Sequence, residues 1–440
     1  MDNHIFVTNF TVSDLNKILK SFTSSKTLKN FIIYGFGQAI NLASPLLITP
    51  YIIYICGLEK LGIIAIGQSL AYILNVIIDY SSNIIGVKEI SINRDNIAKL
   101  QHIFLAVYIS RIFLSTIVIG IVIFLVLAVP YCGKNALMVF LSTSIIIGQA
   151  INPTWFLQGI ENFKWISIIN ILSKVIYILG IFIFLKTEDD YIYANLWLGL
   201  GTIIASMIAF VWLVGKYNFK YKSESLSGAK EILKKDFMFC VSQFFFAIRN
   251  YSSVLVIGFF AGDFVAGQFK VIEQIINLFR TYLQMFFKFT YTYVCFEIDK
   301  GIYRGLLLWK KYNGLNLIFL FSLLVLTFIF SDEILHFFKV GHELVNKLGK
   351  YLKLALILPF LIGITLPLEQ LIFNFSKNKE YIRLTITSTF FNILGLSILM
   401  SINKNLYYAF MILIAIEMFL IMAYLILLKP YLFKRKYTKG

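Results

Sequence analysis

Lys270, Glu273, Asn277, Arg280, Gln284, Lys288 and Tyr291 recur at steps of three or four residues inside an otherwise apolar stretch, 262–291. That spacing sets them on one face of a helix. Between them stand Val271, Ile272, Ile275, Ile276, Leu278, Phe279, Leu283, Phe286 and Phe287. In a bilayer, each charge left in hydrocarbon costs at least ~2.5–3.5 kcal/mol, so the stripe must face protein or a water-filled cavity. The chemistry available to such a stripe is anion recognition. A guanidinium forks onto phosphate oxygens, and an ammonium supplies a compact charge. A phosphate entering low dielectric needs these partners because its desolvation is otherwise too costly.

Other cations interrupt apolar runs at Arg111, Lys174 and Arg249. With Lys270, Arg280 and Lys288 they are the candidate contacts for an anionic headgroup. Gln38, Asn41, Gln68, Asn75, Asn250, Asn277 and Gln284 are candidate polar lining for the same path. The competing reading is that the charges pair internally, Glu273 with Lys270 or Arg280, and merely lock helices together. Acidic residues within apolar runs are Asp79, Glu273, Glu369 and Glu417. Each could take a proton or sodium and couple transport to an ion gradient, or could serve as a fixed partner for a buried cation. Trp155 could stack on a sugar. No HExxH, Walker loop, Ser-His-Asp order or dinucleotide fingerprint is present, so neither enzyme activity nor a cofactor is expected. Cys56, Cys132, Cys240 and Cys295 are scattered without a CxxC pair and are expected to be buried thiols, not metal ligands.

The elements that must carry these residues are membrane helices. The chain of 440 residues is 59% hydrophobic and 14% charged, a balance that excludes an ordinary soluble domain. About twelve apolar runs are long enough to span, roughly 31–56, 62–86, 103–129, 136–158, 165–185, 193–215, 237–261, 264–296, 312–331, 351–375, 381–402 and 406–428. The predicted fold is an all-α integral membrane protein. Gln38, Asn41 and Pro45 share a face of the first span, and Pro45 and Pro50 are expected to kink it.

The formal net charge of +17 raises the question of nucleic acid, but the basic residues edge the spans instead of forming one face. Clusters at Lys17, Lys20, Lys26 and Lys29, at Lys216, Lys220, Lys222, Lys230, Lys234 and Lys235, at Lys300, Arg304, Lys310 and Lys311, and at Lys429, Lys434, Arg435, Lys436 and Lys439 fall on one side. By the positive-inside rule that side, with both termini, is cytoplasmic. The first ~30 residues lack the short apolar core of a signal peptide, so no cleavage is expected. Residues 10–22 are a weak candidate for a surface helix.

An internal repeat organises the spans. Residues 26–83 resemble 231–288 without gaps: Leu28, Lys29 and Gln38 match Leu233, Lys234 and Gln243, and Gly57 and Gly62 match Gly262 and Gly267. The polar face repeats as well, with Gln68, Tyr72, Asn75, Asp79 and Asn83 falling on Glu273, Asn277, Arg280, Gln284 and Lys288. A later pair is Pro153 with Pro367. Parallel repeats of this kind form two bundles around a central cavity. The expected organisation is a segment over 1–30, an N-lobe over 31–215, a basic linker over 216–235, a C-lobe over 236–428 and a basic tail over 429–440. The longest outer loop is expected over 332–350.

Three blocks resemble a known family. Lys26-Thr27-Leu28-Lys29-Asn30-Phe31 followed by Gln38, Pro45, Pro50, Gly57 and Gly62 is similar to the opening of bacterial polysaccharide flippases, the Wzx-type O-antigen transporters. So are Trp155-Phe156-Leu157-Gln158-Gly159 with Ile169-Asn170-Ile171-Leu172-Ser173-Lys174, and Gly258-Phe259-Phe260-Ala261-Gly262 with Gly267. The resemblance implies the multidrug/oligosaccharidyl-lipid/polysaccharide exporter superfamily: two six-helix bundles in a V, as in MATE transporters, working by alternating access in the bacterial inner membrane. It implies as substrate an oligosaccharide on undecaprenyl pyrophosphate, flipped to the outer leaflet with its tail among membrane lipids, and polysaccharide polymerase machinery as a partner. Glu273 within the stripe departs from a purely cationic cavity. The alternatives are a cation-coupled drug exporter of the same fold and a membrane glycosyl polymerase or ligase.

Overall fold

A backbone surrounded by hydrocarbon must satisfy its own hydrogen bonds, which favours helices over every other local structure. The computed structural model describes residues 26–219 and 224–432, the side chains of 26–34, 36, 38, 224, 289 and 292 apart, and all regular structure in them is helical. The expected surface helix over 10–22 lies outside the described residues. So do the 1–25 and 433–440 segments, Lys220, Lys222 and the side chains of Gln38, Lys26 and Lys29.

Helix α1 (Lys26–Asp79) runs for 54 residues. At ~1.5 Å per residue it is more than twice as long as the ~30 Å hydrocarbon slab is thick, so it must turn back. It breaks at Gly57, where φ is 79° and ψ is 174°. Pro45 and Pro50 lie inside the first arm, whose backbone stays helical there, and the break falls at Gly57. A left-handed φ is available to glycine without a Cβ clash, whereas proline cannot reach it at all. Ile52 and Leu61, on either side of the break, line the same cavity.

The next elements are α2 (Val87–Ile92), α3 (Ile97–Ala128), α4 (Pro130–Lys134), α5 (Ala136–Ile151), α6 (Thr154–Gly159), α7 (Phe163–Phe184) and α8 (Tyr193–Tyr217). Asn152 and Pro153 interrupt the expected fourth span between α5 and α6. The linker contains α9 (Glu224–Lys235), and the second half opens with α10 (Phe237–Ala261) and α11 (Asp263–Lys300). Gly262 separates these two with φ 95°, repeating the break of Gly57 at the equivalent position. Then follow α12 (Ile302–Ile329), α13 (Ser331–Phe337), α14 (His342–Ala355), α15 (Ile357–Asn374), α16 (Asn378–Ile402) and α17 (Leu406–Leu432). The expected loop over 332–350 is thus largely helical. Pro367 sits inside α15, unlike Pro153, so that pairing does not extend to the backbone.

The two repeats meet where they break. A Cβ on Gly62 would collide with the carbonyl oxygen of Asp263, and a Cβ on Gly267 with that of Leu58. Leu58 and Asp263 occupy the same place in their repeats, as do Gly62 and Gly267, so the two contacts exchange under a pseudo-two-fold axis. Tyr131 at the start of α4 adds a hydrogen bond from its hydroxyl to Asp263. At the opposite end the linker is folded onto the first half. Ser110 donates to the carbonyl of Ala229 at 3.4 Å, Tyr80 to that of Leu233 at 2.5 Å, and Ser81 to Asp236 at 2.5 Å.

Among the described residues, ten helices are long and apolar enough to cross a membrane. The expectation of about twelve differs for two physical reasons. The two arms of α1 form one of these ten, and α11 is not among them because its polar stripe lowers its apolarity.

The glycine crossing predicts a mutational asymmetry. Gly267→Leu should lower the midpoint of thermal unfolding in detergent, because overpacking a tight contact costs roughly 1–3 kcal/mol. Gly120→Ala, where a Cβ meets nothing within 4 Å, should leave it unchanged. Equal midpoints for the two variants would show that the crossing does not constrain the fold.

Candidate functional site

Because both arms of α1 lean against α10 and α11, the polar face of α11 looks across at the first half and not into lipid. A cavity of ≈ 550 Å³ lies between the halves. The first half contributes Asn41, Thr49, Gln68, Tyr72, Lys174 and Tyr177. The second contributes Asn250, Tyr251, Lys270, Glu273, Gln274, Asn277, Arg280 and Gln284. Gln284 is exposed, so the cavity is open at its α11 wall. Two contacts cross it. Thr49 donates to Gln274 Oε1 at 2.9 Å, and the rings of Tyr72 and Tyr251 stand 5.2 Å apart.

A second chamber of ≈ 100 Å³ opens from the first within the second half and shares Phe246, Asn250, Glu273, Arg280 and Gln284 with it. Its own wall holds Arg249, Thr365, Glu369, Asn392 and Glu417. The Oδ1 of Asn392, a residue 2% exposed, has no hydrogen-bond partner among the described residues.

The cations divide into two groups. Arg249 is 3.0 Å from Glu417, which also accepts from Thr365 at 3.0 Å, and Lys270 is 2.8 Å from Glu273. These two line cavities but are neutralised by carboxylates. Arg280 donates to Asn277 Oδ1 at 3.2 Å, and Lys174 sits 5.9 Å from the Tyr177 ring. Among the described residues neither has a carboxylate within ion-pair distance, and they stand on opposite halves of the same cavity.

Arg111 is placed elsewhere. It is 2% exposed and bonds Asp79 at 3.0 Å, Ser82 at 2.8 Å and the carbonyl of Asn152 at 2.8 Å. Gln149 donates to both oxygens of Asp79 at 2.9 Å. This network ties α1, α3 and the α5–α6 break together, so Arg111 and Asp79 serve packing and do not line the cavity. Asn75 does not line it either, and its Oδ1 is buried without a partner among the described residues. Lys288 is exposed beyond the cavity's end. Trp155 is 1% exposed and packs against Phe104 and Arg111, out of reach of a sugar in the cavity. Glu369 accepts from Tyr424 at 3.3 Å and, of the four acidic residues singled out, is the one without a basic partner within ion-pair distance among the described residues. Sequence reasoning missed Thr49, Tyr177, Tyr251, Gln274, Thr365 and Asn392. Gln274 follows Glu273 directly and could have been found by widening the stripe. The others carry no distinguishing pattern.

The profile of a family described as polysaccharide biosynthesis protein matches residues 27–291, more than half of the chain. A protein of Escherichia coli (strain K12) named "Putative O-antigen transporter" is 26% identical over 290 residues, covering 66% of this chain and 70% of that protein. Lipid II flippase MurJ in an inward closed conformation superposes with a TM-score of 0.68 at 13% identity, over 91% of this chain and 87% of that one. An inward-facing multidrug resistance MATE family transporter of the MOP superfamily superposes with a TM-score of 0.67 at 12% identity, over 94% of this chain and 100% of that one. At these identities the two structural likenesses establish the fold: an all-α membrane protein of the MATE and MurJ type.

The packing role of Arg111 is open to a double-mutant measurement. Arg111→Ala should destabilise the protein by ~3–5 kcal/mol, since a buried carboxylate is left unpaired. Asp79→Asn in the same chain should recover part of that loss in the unfolding midpoint. Additive effects of the two substitutions would mean that the pair is not coupled.

Proposed function

The chain belongs to the polysaccharide biosynthesis protein family, and on that premise we propose that it is a flippase for undecaprenyl-pyrophosphate-linked oligosaccharide, working from the cytoplasmic to the outer leaflet. It is a multi-pass membrane protein, and its relatives carry transporter and flippase names, not enzyme names. The observation that carries the reading is the pair of cations without carboxylate partners among the described residues, Lys174 and Arg280, on facing walls of one open cavity. An anion held between them bridges the two halves. Binding and the relative motion of the halves are then one event, which is what alternating access requires.

In this reading 31–215 and 236–428 are the moving lobes, joined by 216–235. The glycine crossing closes the outer end, and the basic linker end faces the cytoplasm with both termini. Asn41, Gln68, Asn250, Asn277 and Gln284 solvate the headgroup as it moves, while the polyprenyl tail stays among membrane lipids. Paired Arg249 and Lys270 set the field of the cavity at one remove, and Glu369 is the carboxylate available for a coupling proton or sodium. Polysaccharide polymerase would take the product. A drug exporter of the same fold is disfavoured because a positively charged cavity repels the cationic compounds such proteins carry. A glycosyl polymerase or ligase is disfavoured by the parallel repeat and by the transporter and flippase names of the similar proteins.

Reconstitution in vesicles with a labelled polyprenyl-diphosphate glycan tests the proposal. Wild-type protein should move label to the opposite leaflet. Arg280→Ala or Lys174→Ala should slow it by roughly 10–100-fold, the equivalent of losing one charged hydrogen bond. Normal rates in both variants would overturn the headgroup assignment. In the host, loss of the gene should abolish long surface polysaccharide, and the intact gene should restore it.

A further inference from the structure

The charge of the two chambers says what kind of sugar can enter. The central cavity holds three cations, Lys174, Lys270 and Arg280, against one carboxylate, Glu273. Two positive charges remain. A diphosphate joined to a lipid at one end and to a sugar at the other carries one ionised oxygen on each phosphorus, hence two negative charges. The headgroup therefore neutralises the central cavity by itself, and nothing is left over for an anionic sugar.

The adjoining chamber is the space a saccharide meets next, since it opens from the central cavity at Arg280, Glu273 and Gln284. Its balance is reversed: apart from Glu273 and Arg280, which it shares with the central cavity, it holds Glu369 and Glu417 against Arg249. The guanidinium is already engaged by Glu417 at 3.0 Å. What the chamber offers a ligand is hydrogen-bond acceptors, namely the carboxylate oxygens and the orphaned Oδ1 of Asn392, beside the ring of Phe246. Sugar hydroxyls and acetamido N–H groups donate to such acceptors, and a buried acceptor without a donor carries a penalty that a hydroxyl relieves. A uronate or sugar phosphate would bring a further negative charge against two carboxylates in a low-dielectric space, where like charges are strongly disfavoured.

Resting on the flippase reading, we propose that the glycan carried by this protein is uncharged at the sugars nearest the diphosphate, and that Glu369, Glu417 and Asn392 select it. The chamber is then a filter for charge as well as a container. Sugar identity among neutral hexoses and N-acetylhexosamines is read by hydrogen-bond geometry, while acidic sugars are rejected electrostatically.

The test uses full-length protein in vesicles and two polyprenyl-diphosphate trisaccharides that differ only in the lipid-proximal sugar, glucose in one and glucuronic acid in the other. The neutral glycan should be moved at least about tenfold faster, a ratio equivalent to ~1.4 kcal/mol. Glu417→Gln removes one carboxylate and frees Arg249, so it should narrow that ratio by raising the rate for the acidic glycan. Glu369→Gln, which leaves the Arg249–Glu417 pair intact, should narrow it in the same direction and serves if Glu417→Gln does not fold. Equal rates for both glycans in the wild type would overturn the charge filter while leaving the flippase reading standing. Movement of neither glycan would overturn the flippase reading and the filter together.

Discussion

A charge inside the hydrocarbon slab has to be paired or wet, and the architecture follows from how each one is treated. Asp79, Glu273 and Glu417 are each held within about 3 Å of a cation, so three of the four membrane carboxylates act as internal counter-charges. Lys174 and Arg280 are treated differently: they are left to a cavity. The same desolvation penalty therefore separates the cations paired with carboxylates from those left facing a cavity.

Glycine geometry supplies the second constraint. Each half begins with a helix that reverses at a left-handed glycine, and each then presents a second glycine to the partner's carbonyl. Helix axes can approach this closely only without side chains between them. The cavity lies alongside this crossing, where Leu61, next to Gly62, forms part of its wall. The linker helix α9 is hydrogen-bonded to the first half through Tyr80 and Ser110, and Asp236, which follows it, through Ser81.

Much of this was legible beforehand because hydropathy and helical spacing are local properties. The helical class, the repeat, the glycine pairs and the stripe on α11 could all be read at short range. Five of the stripe residues, Lys270, Glu273, Asn277, Arg280 and Gln284, do line the cavity. The stripe on α1 was less reliable. Gln68 and Tyr72 reach the cavity, whereas Asp79 turns toward Arg111, because the last turns of α1 lie against α3 and α5 instead of α11. Trp155 misled for a similar reason: an aromatic beside proline reads equally well as a binding platform or as the plug of a helix break.

The amino-acid sequence by itself determined that the chain is a bundle of membrane helices, that its halves are related, and that positive charge must be sheltered within it, since each of these rests on composition and on residues within a few turns of one another. Only the tertiary structure decided which cation meets a carboxylate and which is left to a cavity. Partners such as Arg249 and Glu417, or Arg111 and Asp79, are far apart in the chain and are brought together by helix packing. Coulomb energy depends on that separation in space, which no spacing along the sequence records.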